Sequence, residues 1–222
     1  MRRELFVFDM IGTTIEPSNA IPEAFRAALS TAGVQVSDED ISAVRGKSKR
    51  EAIAELLASH LEQDAAARLQ EPVYAAFQSG LEDHYRSGAV RQIEGAAGAF
   101  EWCHSVGAKV ALTTGFDRSV AELLLEGLSW ASKVDALVCN DDVAQGRPAP
   151  FLIREAMRRT NVDIASSVAS VGDTVSDLQA GVNAGVGWNF AVLTGAHSKE
   201  RLSGVAGSIV LESVAELQEY CW

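Results

Sequence analysis

The amino-acid sequence predicts an α/β fold with a doubly wound parallel sheet and an inserted helical region. Short apolar runs recur along the chain, helical patterns separate most of them, and one long stretch near the N-terminus shows helical patterns alone. Short apolar runs that end in small or polar residues are typical of strands buried on both faces of a parallel sheet. Their alternation with helices is the pattern of the doubly wound class.

Six apolar runs predict the strands of the sheet. They cover residues 5–8, 109–112, 136–139, 168–171, 190–193 and 208–211. Helices are predicted between them, for example over residues 95–105 and 118–125. Ligands of such folds bind beyond the carboxyl ends of the strands, so the residues that follow the strands are the candidates for a functional site.

The long helical stretch follows the first strand directly. Apolar residues stand at helical spacing over residues 22–32, 38–44, 48–60 and 72–85. We therefore predict a core domain of residues 1–15 and 90–222 and a helical cap domain of residues 16–89, with hinges near Glu16-Pro17 and Gly88-Ala89. A cap in this position would cover the strand ends and exclude water from the site.

Composition limits the classes of partner. The chain has 222 residues, of which 47% are apolar and 22% charged, as expected for one compact core with a small inserted module. A net charge of −11 argues against a nucleic-acid partner, which normally requires a basic surface. An anionic small molecule would have to be held by a few local groups.

Neither a membrane span nor a targeting segment is expected. Asp9 interrupts the N-terminal apolar run after four residues, and no stretch approaches the roughly 18 to 20 apolar residues that a spanning helix needs. Cys103, Cys139 and Cys221 are widely spaced and lack neighbours at metal-site distances. We interpret them as buried thiols of a cytoplasmic protein.

The first candidate for chemistry is Asp9, at the end of the first predicted strand. A tight turn follows it in the run Asp9-Met10-Ile11-Gly12-Thr13-Thr14. A carboxylate at this edge of the sheet can act as a nucleophile and form an aspartyl-phosphate. An Asp at a strand end can equally serve as a turn or helix cap.

A second acidic motif follows the strand predicted at residues 168–171. Asp173 and Asp177 stand four residues apart, and with Asp9 opposite they would form a site for Mg²⁺, which prefers oxygen ligands. The alternative is that Asp173 caps the next helix and that Asp177 is a solvated residue of its first turn, favoured there by the helix dipole.

Two further candidates follow predicted strands. Thr114 and Gly115 precede a helix, where a hydroxyl and backbone N–H groups could bind a phosphoryl oxygen, although a Thr before a helix is commonly just its N-cap. Arg147 stands before Pro148 and could clamp a phosphate with its planar guanidinium, although a lone Arg is usually a surface residue. The order of nucleophile, hydroxyl, cation and acidic pair makes a joint role the better interpretation.

This ordered set resembles the haloacid dehalogenase (HAD) superfamily, and the resemblance covers essentially the whole chain. It implies a Rossmann-like core with an inserted cap. It also implies the following roles: Asp9 as nucleophile; Gly12, Thr13, Thr114, Gly115 and Arg147 as phosphate-binding residues; and Asp9, the Ile11 backbone carbonyl and Asp173 as Mg²⁺ ligands, supported by Asp177.

Ile11 departs from the pattern of ordinary phosphatases in this superfamily. They carry a second Asp at this position as the general acid for a leaving alcohol, and losing such an acid typically costs about 10²- to 10⁴-fold. The phosphonatase, or phosphonoacetaldehyde hydrolase, group lacks this Asp, and the first motif of this chain resembles the motif of that group.

The same group carries a cap lysine in a Gly-x-x-Lys pattern, which here matches Lys49 in the run Gly46-Lys47-Ser48-Lys49. The resemblance implies that Lys49 forms a Schiff base with the substrate aldehyde, so that an enamine leaves and no acid is needed. Its pKa should then be lowered by burial or by like charge, which Arg45, Lys47 and Arg50 could supply. Alternatively Lys49 only grips phosphate, as an Arg does in sugar-phosphate mutase relatives.

Ala52 and Phe116 stand where that group is expected to have a His and a Tyr, and the chain is shorter than expected. The chain therefore resembles a phosphonatase-like subgroup acting on phosphonoacetaldehyde or a related 2-oxoalkylphosphonate. The alternatives are a small-molecule phosphatase and a non-catalytic binding protein. His197 could reach the rim of the pocket. An apolar patch of Phe25, Ala28 and Leu29 fits either a homodimer contact or packing within the cap.

Overall fold

The computed structural model describes residues 3–88 and 90–220. Within them, six strands form one parallel sheet in the order β3-β2-β1-β4-β5-β6. The strands are β1 (Leu5–Asp9), β2 (Lys109–Thr113), β3 (Ala136–Val138), β4 (Val168–Gly172), β5 (Trp188–Val192) and β6 (Ser208–Leu211). Each lies within one or two residues of its prediction, which confirms the predicted α/β class.

Helices separate these strands and follow the last one. They are α1 (Ala20–Ser30), α2 (Asp38–Ala43), α3 (Lys49–His60), α4 (Gln63–Arg86), α5 (Ala96–Ser105), α6 (Arg118–Gly127), α7 (Phe151–Thr160), α8 (Val175–Ala184), α9 (Lys199–Ser203) and α10 (Leu217–Tyr220). Helices α1–α4 and their connections, called the cap below, lie between β1 and α5 in the chain.

Strand β1 shows why the strands read as continuous apolar runs. Phe6 and Phe8 pack against Trp102 and Phe100 of α5, with ring centroids 5.6 and 5.3 Å apart. The alternate residues of β1 belong to a second buried cluster that includes residues of α7 and α8. Because helices cover both faces of the sheet, both faces of the strand must be apolar.

The strand order places a crevice at the end of β1. This strand lies between β2 and β4, where the order of strands reverses, and such a switch point opens a ligand-binding crevice beyond the carboxyl ends. Asp9 is the last residue of β1 and is in register with Thr113 of β2. Asp173 directly follows β4.

The cap has an apolar interior of its own. Phe25 of α1 packs against Phe77 of α4 with ring centroids 4.6 Å apart, and Ala28 and Leu29 are buried as well. The apolar patch considered as a dimer contact is therefore covered within the chain, and packing inside the cap is the correct interpretation.

Helix α4 differs from its prediction at the N-terminal end. It begins at Gln63, well before residue 72, and Pro72 lies inside it. A proline removes one backbone donor and crowds the preceding turn. Pro72 is exposed, whereas the next residues Val73 and Tyr74 and, one turn on, Phe77 are buried, so packing of the opposite face maintains the helix through the proline.

The two chain segments that join cap and core run side by side. The Glu16 N–H donates to the Arg91 carbonyl at 2.9 Å, and the Ile93 N–H donates to the Thr14 carbonyl at 2.9 Å. The hinge residue Ala89 lies outside the described residues, and the division into domains at residues 16–89 stays a prediction.

Cys103 and Cys139 are buried, as predicted, whereas Cys221 lies outside the described residues. Burial raises the pKa of Cys139 to about 12, so its thiol stays protonated at neutral pH. The cytoplasmic location inferred from the cysteines remains a prediction. Among the helices of residues 3–88 and 90–220, we find none with the length and apolar character that crossing a bilayer demands.

Candidate active site

The carboxylate of Asp9 lies at the bottom of the crevice and is almost completely buried. Its Oδ1 atom is 2.6 Å from Nη1 of Arg147. Burial raises the pKa of Asp9 above its usual value, the Arg147 charge opposes this, and the neighbouring Asp177 adds to it. The arginine thus favours the ionised form that a nucleophile requires.

The turn after Asp9 depends on glycine and on two threonine hydroxyls. Gly12 has a φ of +93°, a conformation that other residues rarely adopt. The Thr14 hydroxyl donates to the Asp9 carbonyl at 3.0 Å, and the Thr13 hydroxyl donates to Oδ1 of Asp173 at 3.2 Å. Of the two turn residues predicted to bind phosphate, Gly12 lines the cavity, whereas Thr13 is fully buried with its hydroxyl on Asp173.

Asp173 is held by two loops from opposite sides. Besides Thr13, the backbone N–H of Ala196 donates to its Oδ2 atom at 2.7 Å. A Cβ atom on Gly12 would stand 2.5 Å from Oδ2, and one on Gly195 would clash with the same carboxylate. The loop after β5 therefore shapes the site, whereas the sequence pattern indicated only His197 in this loop as a candidate.

His197 has a structural role in this loop. Its Nδ1 atom accepts a hydrogen bond at 3.0 Å from the N–H of Val175, the first residue of α8. The imidazole thus satisfies a backbone donor at the start of the helix. Burial lowers the pKa of His197, which favours the neutral ring that this bond needs.

Asp177 does two things at once. In a capping box with Thr174, its carboxylate accepts from the Thr174 backbone N–H at 3.0 Å. Its other oxygen pairs with Arg147. The alternative in which Asp173 caps the helix and Asp177 is solvated is therefore wrong, because Thr174 is the N-cap and Asp177 is buried.

Arg147 is buried among these carboxylates rather than on the surface. Its Nη1 atom pairs with both Asp9 and Asp177. Within the described part of the chain, its Nε and Nη2 atoms are buried and have no hydrogen-bond partner. Buried polar groups are nearly always paired, so these two donors indicate a site for an oxygen-rich anion.

Thr114 and Gly115 stand where β2 ends and both line the cavity. The Thr114 hydroxyl accepts from the Phe116 N–H at 3.2 Å. The Gly115 carbonyl accepts from the Lys49 backbone N–H at 3.3 Å, which ties the first turn of α3 to the core.

Glycines allow a very close approach between the Gly46–Lys49 segment of the cap and the loops of the core. A Cβ atom on Gly115 would stand 3.0 Å from the Lys47 carbonyl oxygen, and one on Gly146 would stand 2.7 Å from the Ser48 Cβ. Gly46 itself meets the side chain of Thr174 in the same way. The main chain at each glycine therefore lies directly against its neighbour, which is the Lys47 carbonyl for Gly115, the Ser48 side chain for Gly146 and the Thr174 side chain for Gly46.

Lys49 is the first residue of α3 and reaches the same cavity. Its Nζ atom lies 5.3 Å from the centroid of the Phe116 ring. Burial and then the Arg147 charge lower the pKa of Lys49 to about 8, against the opposing charges of three carboxylates, which are Asp9, Asp177 and Asp173. At that pKa roughly a tenth of the amine is neutral at pH 7, far more than for an ordinary lysine.

The source of this shift differs from the expectation. Lys47 pairs with Glu55 and Arg50 pairs with Glu71, and Arg45 is exposed. The cation that acts on Lys49 is Arg147, which is remote in sequence but shares the cavity.

Together these residues line one cavity of about 150 Å³ between cap and core. It is smaller than the roughly 300–1,000 Å³ of pockets for drug-sized ligands, so it suits a small molecule. The predicted site residues that line it are Asp9, Ile11, Gly12, Lys49, Thr114, Gly115, Arg147, Asp173 and Asp177.

The acidic residues fit a divalent cation. Oxygen atoms of Asp9, Asp173 and Asp177 lie within 4.8 Å of one another, and all three residues are buried. Desolvation and mutual repulsion raise the pKa of Asp173 well above its usual value. Arg147 pairs with only two of the three carboxylates, Asp9 and Asp177, and a hard cation with oxygen ligands would relieve the remaining repulsion.

Residues 6–191 match the family model of the haloacid dehalogenase-like hydrolases. The chain belongs to this family, and the predicted superfamily is confirmed at the level of a hydrolase.

Within that class, the chain is similar to phosphonoacetaldehyde hydrolase of Bacillus cereus (strain AH187), with 29% identity over 209 residues that cover 88% of this chain and 77% of the relative. This bears out the resemblance to the phosphonatase group.

Two solved structures share the fold. The phosphonoacetaldehyde hydrolase-like protein of Oleispira antarctica has a TM-score of 0.84 at 20% identity, covering 100% of this chain and 92% of that one. A protein of Lactobacillus delbrueckii subsp. bulgaricus ATCC BAA-365, named as a candidate phosphoglycolate phosphatase, has a TM-score of 0.81 at 19% identity, covering 100% and 99%.

Arg147→Met should destabilise the protein strongly in metal-free buffer at neutral pH. The change leaves Asp9 and Asp177 buried without their cation, and breaking a buried pair in this way costs about 3–5 kcal/mol. Urea unfolding measures the loss. Arg86→Met, which removes surface ion pairs to Glu82 and Asp83, is the control and should cost less than about 1 kcal/mol. Equal losses in the two variants would contradict the role of Arg147.

Proposed function

We propose that this hydrolase cleaves the C–P bond of a 2-oxoalkylphosphonate, of which phosphonoacetaldehyde is the simplest, with Asp9 as nucleophile and Lys49 as the amine that activates the carbonyl. The observation that carries the proposal is that Lys49, with its lowered pKa, lines the same cavity as Asp9 and Arg147. The 29% identity to a phosphonoacetaldehyde hydrolase supports it.

The phosphonate group would bind at the core end of the cavity. The buried Nε and Nη2 atoms of Arg147 would donate to its oxygens, and Thr114 and Gly115 line the same region. Asp9, Asp173 and the Ile11 backbone carbonyl would hold Mg²⁺, with Asp177 supporting. When bound, the ion would neutralise charge on the phosphoryl oxygens and on the carboxylates.

Lys49 would act at the other end of the substrate. Its neutral amine adds to the carbonyl carbon, water is lost, and the resulting iminium accepts the electron pair of the C–P bond as an Asp9 oxygen bonds to phosphorus. The products of this step are an enamine on Lys49 and a phosphorylated Asp9. Protonation of the enamine carbon and hydrolysis by water release the aldehyde or ketone, and a second water releases phosphate from Asp9.

This chemistry explains why the enzyme can have Ile11 at the position where ordinary phosphatases of the superfamily carry their acidic Asp. The iminium accepts the electron pair of the C–P bond, so an enamine leaves and no alkoxide forms. No general acid is then needed at position 11 to protonate a leaving oxygen. An ordinary phosphate ester would lack that assistance and would depart slowly.

A phosphatase acting on a small phosphate ester is the second candidate. The group of Arg147, Thr114 and Gly115 would bind the phosphoryl group of an ester as well as that of a phosphonate, and one structural neighbour is named as a candidate phosphatase. Lys49 would then grip phosphate. The third alternative, a non-catalytic binding protein, is disfavoured by membership of a hydrolase family.

Lys49→Arg should abolish phosphate and acetaldehyde release from phosphonoacetaldehyde with Mg²⁺, a loss of more than about 10²-fold, because a guanidinium forms no Schiff base. Borohydride added during turnover should reduce the imine and leave the carbon fragment on Lys49 of the wild type, detectable by mass spectrometry. Lys133→Arg, at a surface lysine paired with Glu101, should retain both activity and labelling. Turnover that persists in Lys49→Arg would refute the Schiff-base mechanism.

The rate should depend on pH through Lys49. Because only the neutral amine adds to the carbonyl, kcat/KM for phosphonoacetaldehyde should rise by about tenfold per pH unit below a pKa of about 8 and level off above it. The groups that face the amine are Arg147 and the carboxylates of Asp9, Asp173 and Asp177. Residual hydrolysis of phosphate esters, which needs no amine, serves as the control and should lack this rise. A flat profile for phosphonoacetaldehyde between about pH 6 and 9 would contradict the assignment.

Ile11→Asp separates the two enzymatic candidates. A carboxylic acid at this position should raise hydrolysis of an alkyl phosphate such as glycerol phosphate by about 10²-fold or more, since it can protonate the leaving oxygen. Under the C–P proposal it should not accelerate cleavage of phosphonoacetaldehyde. Ile11→Asn, which is similar in shape but not acidic, is the matched control. C–P cleavage that rises in parallel with ester hydrolysis in Ile11→Asp would contradict the proposed chemistry.

A further inference from the structure

We propose, building on the C–P cleavage proposed above, that the cap end of the cavity binds a short alkyl group. Among 2-oxoalkylphosphonates, the pocket would then favour ketones with a longer alkyl chain on the carbonyl carbon over those with a shorter one.

The cavity has two chemically different ends. The core end carries the ionisable groups of Asp9, Asp173 and Arg147. The cap end is lined by apolar side chains of α1, α2 and the residue that follows α2, namely Ile21, Phe25, Ile41 and Val44. Phe25, Ile41 and Val44 are each only 3% exposed, so they are fixed parts of the cap interior that also face the cavity.

Phe116 connects the two ends. It lines the cavity, and its ring centroid lies 5.3 Å from Nζ of Lys49. The carbonyl carbon must come within bonding distance of that nitrogen. A group attached to this carbon is therefore placed next to an aromatic face and directed away from the phosphonate, toward the apolar end.

Apart from Lys49, the polar side chains of the cap that line the cavity are exposed or paired with a carboxylate. Ser18 and Arg45 are exposed, and the ammonium group of Lys47 pairs with Glu55. Phe116 offers no hydroxyl. Within the described residues, the apolar end thus presents no side-chain hydrogen-bonding group to a polar substituent.

A hydrogen on the carbonyl carbon, as in phosphonoacetaldehyde, would leave these apolar walls in contact with water. An alkyl chain would displace that water, and burying one methylene is worth about 0.8 kcal/mol, or roughly fourfold in an equilibrium. The chemistry is unchanged, because Lys49 forms a ketimine in place of an aldimine. As with the aldehyde, the electron pair of the C–P bond becomes the carbon–carbon double bond of an enamine. Protonation and hydrolysis then give a methyl ketone, and phosphate is released from Asp9.

The test is a series of ketones in which only chain length changes. Phosphate release is measured from 2-oxopropyl-, 2-oxobutyl- and 2-oxopentylphosphonate with Mg²⁺, together with phosphonoacetaldehyde as the reference. The carbonyl groups of the three ketones have similar reactivity, so their kcat/KM ratios report on the pocket. We expect kcat/KM to rise by about threefold or more with each added methylene.

Ile21→Asn then places an amide in the apolar end, at a half-buried position of α1 that tolerates a polar side chain. The ratio of kcat/KM for 2-oxopentyl- over 2-oxopropylphosphonate should fall toward one. This ratio is independent of the folded fraction, because both substrates are assayed on the same preparation. Ile164→Asn, at a residue that is 57% exposed and outside the cavity, is the matched control and should keep the wild-type ratio.

The outcomes separate the two proposals. Cleavage of phosphonoacetaldehyde combined with a constant or falling kcat/KM along the ketone series would overturn the alkyl pocket and leave the proposed function intact. A ratio unchanged by Ile21→Asn would overturn the assignment of the pocket to this end. No phosphate from any oxophosphonate would overturn the proposed function and the pocket with it.

Discussion

The site depends on the ion pairs between one buried arginine and the carboxylates that surround it. Three buried acidic residues converge at the switch point of the sheet, and without a cation they would repel one another and tend to take up protons. Arg147 compensates Asp9 and Asp177 directly, and the same guanidinium is the charge that lowers the pKa of Lys49. This single cation therefore favours the ionised form of Asp9 and, together with burial, the neutral form of Lys49, two conditions that oppose each other in an isolated pair.

Much of this arrangement could be predicted from the sequence because it follows from local pattern. Buried parallel strands are short apolar runs, and their carboxyl ends must meet at one edge, so the sequence alone predicts that Asp9, Thr114 and Asp173 converge. The placement of Lys49 in the site is predicted by resemblance to a family motif and not by local pattern. Helical periodicity does not distinguish a lysine that points into a cavity from one that faces water.

The parts that sequence did not predict are those decided by contacts between distant residues. Lys47 and Arg50 carry charge that could act on Lys49, but they pair with Glu55 and Glu71. Glu71 becomes a neighbour of Arg50 only when α3 and α4 pack, whereas Glu55 lies further along α3 itself. The predicted start of α4 at residue 72 is wrong because a proline is a local signal for a helix boundary. Burial of the neighbouring residues on the opposite face maintains one continuous helix through Pro72. The support of Asp173 by the loop after β5 likewise depends on the order of strands in the sheet.

The glycines that bring the Gly46–Lys49 segment against the core have an implication for how such enzymes diversify. Gly46, Gly115 and Gly146 let the main chain lie directly against the Thr174 side chain, the Lys47 carbonyl and the Ser48 side chain, respectively. These contacts involve none of the apolar side chains that line the cap end of the cavity. Residues such as Ile21 or Val44 are then free to change between relatives without altering how Lys49 meets the core. One mode of attachment is thus compatible with different recognition surfaces, whereas a single methyl group added at Gly46 or Gly146 would disturb the attachment whatever surface it carries.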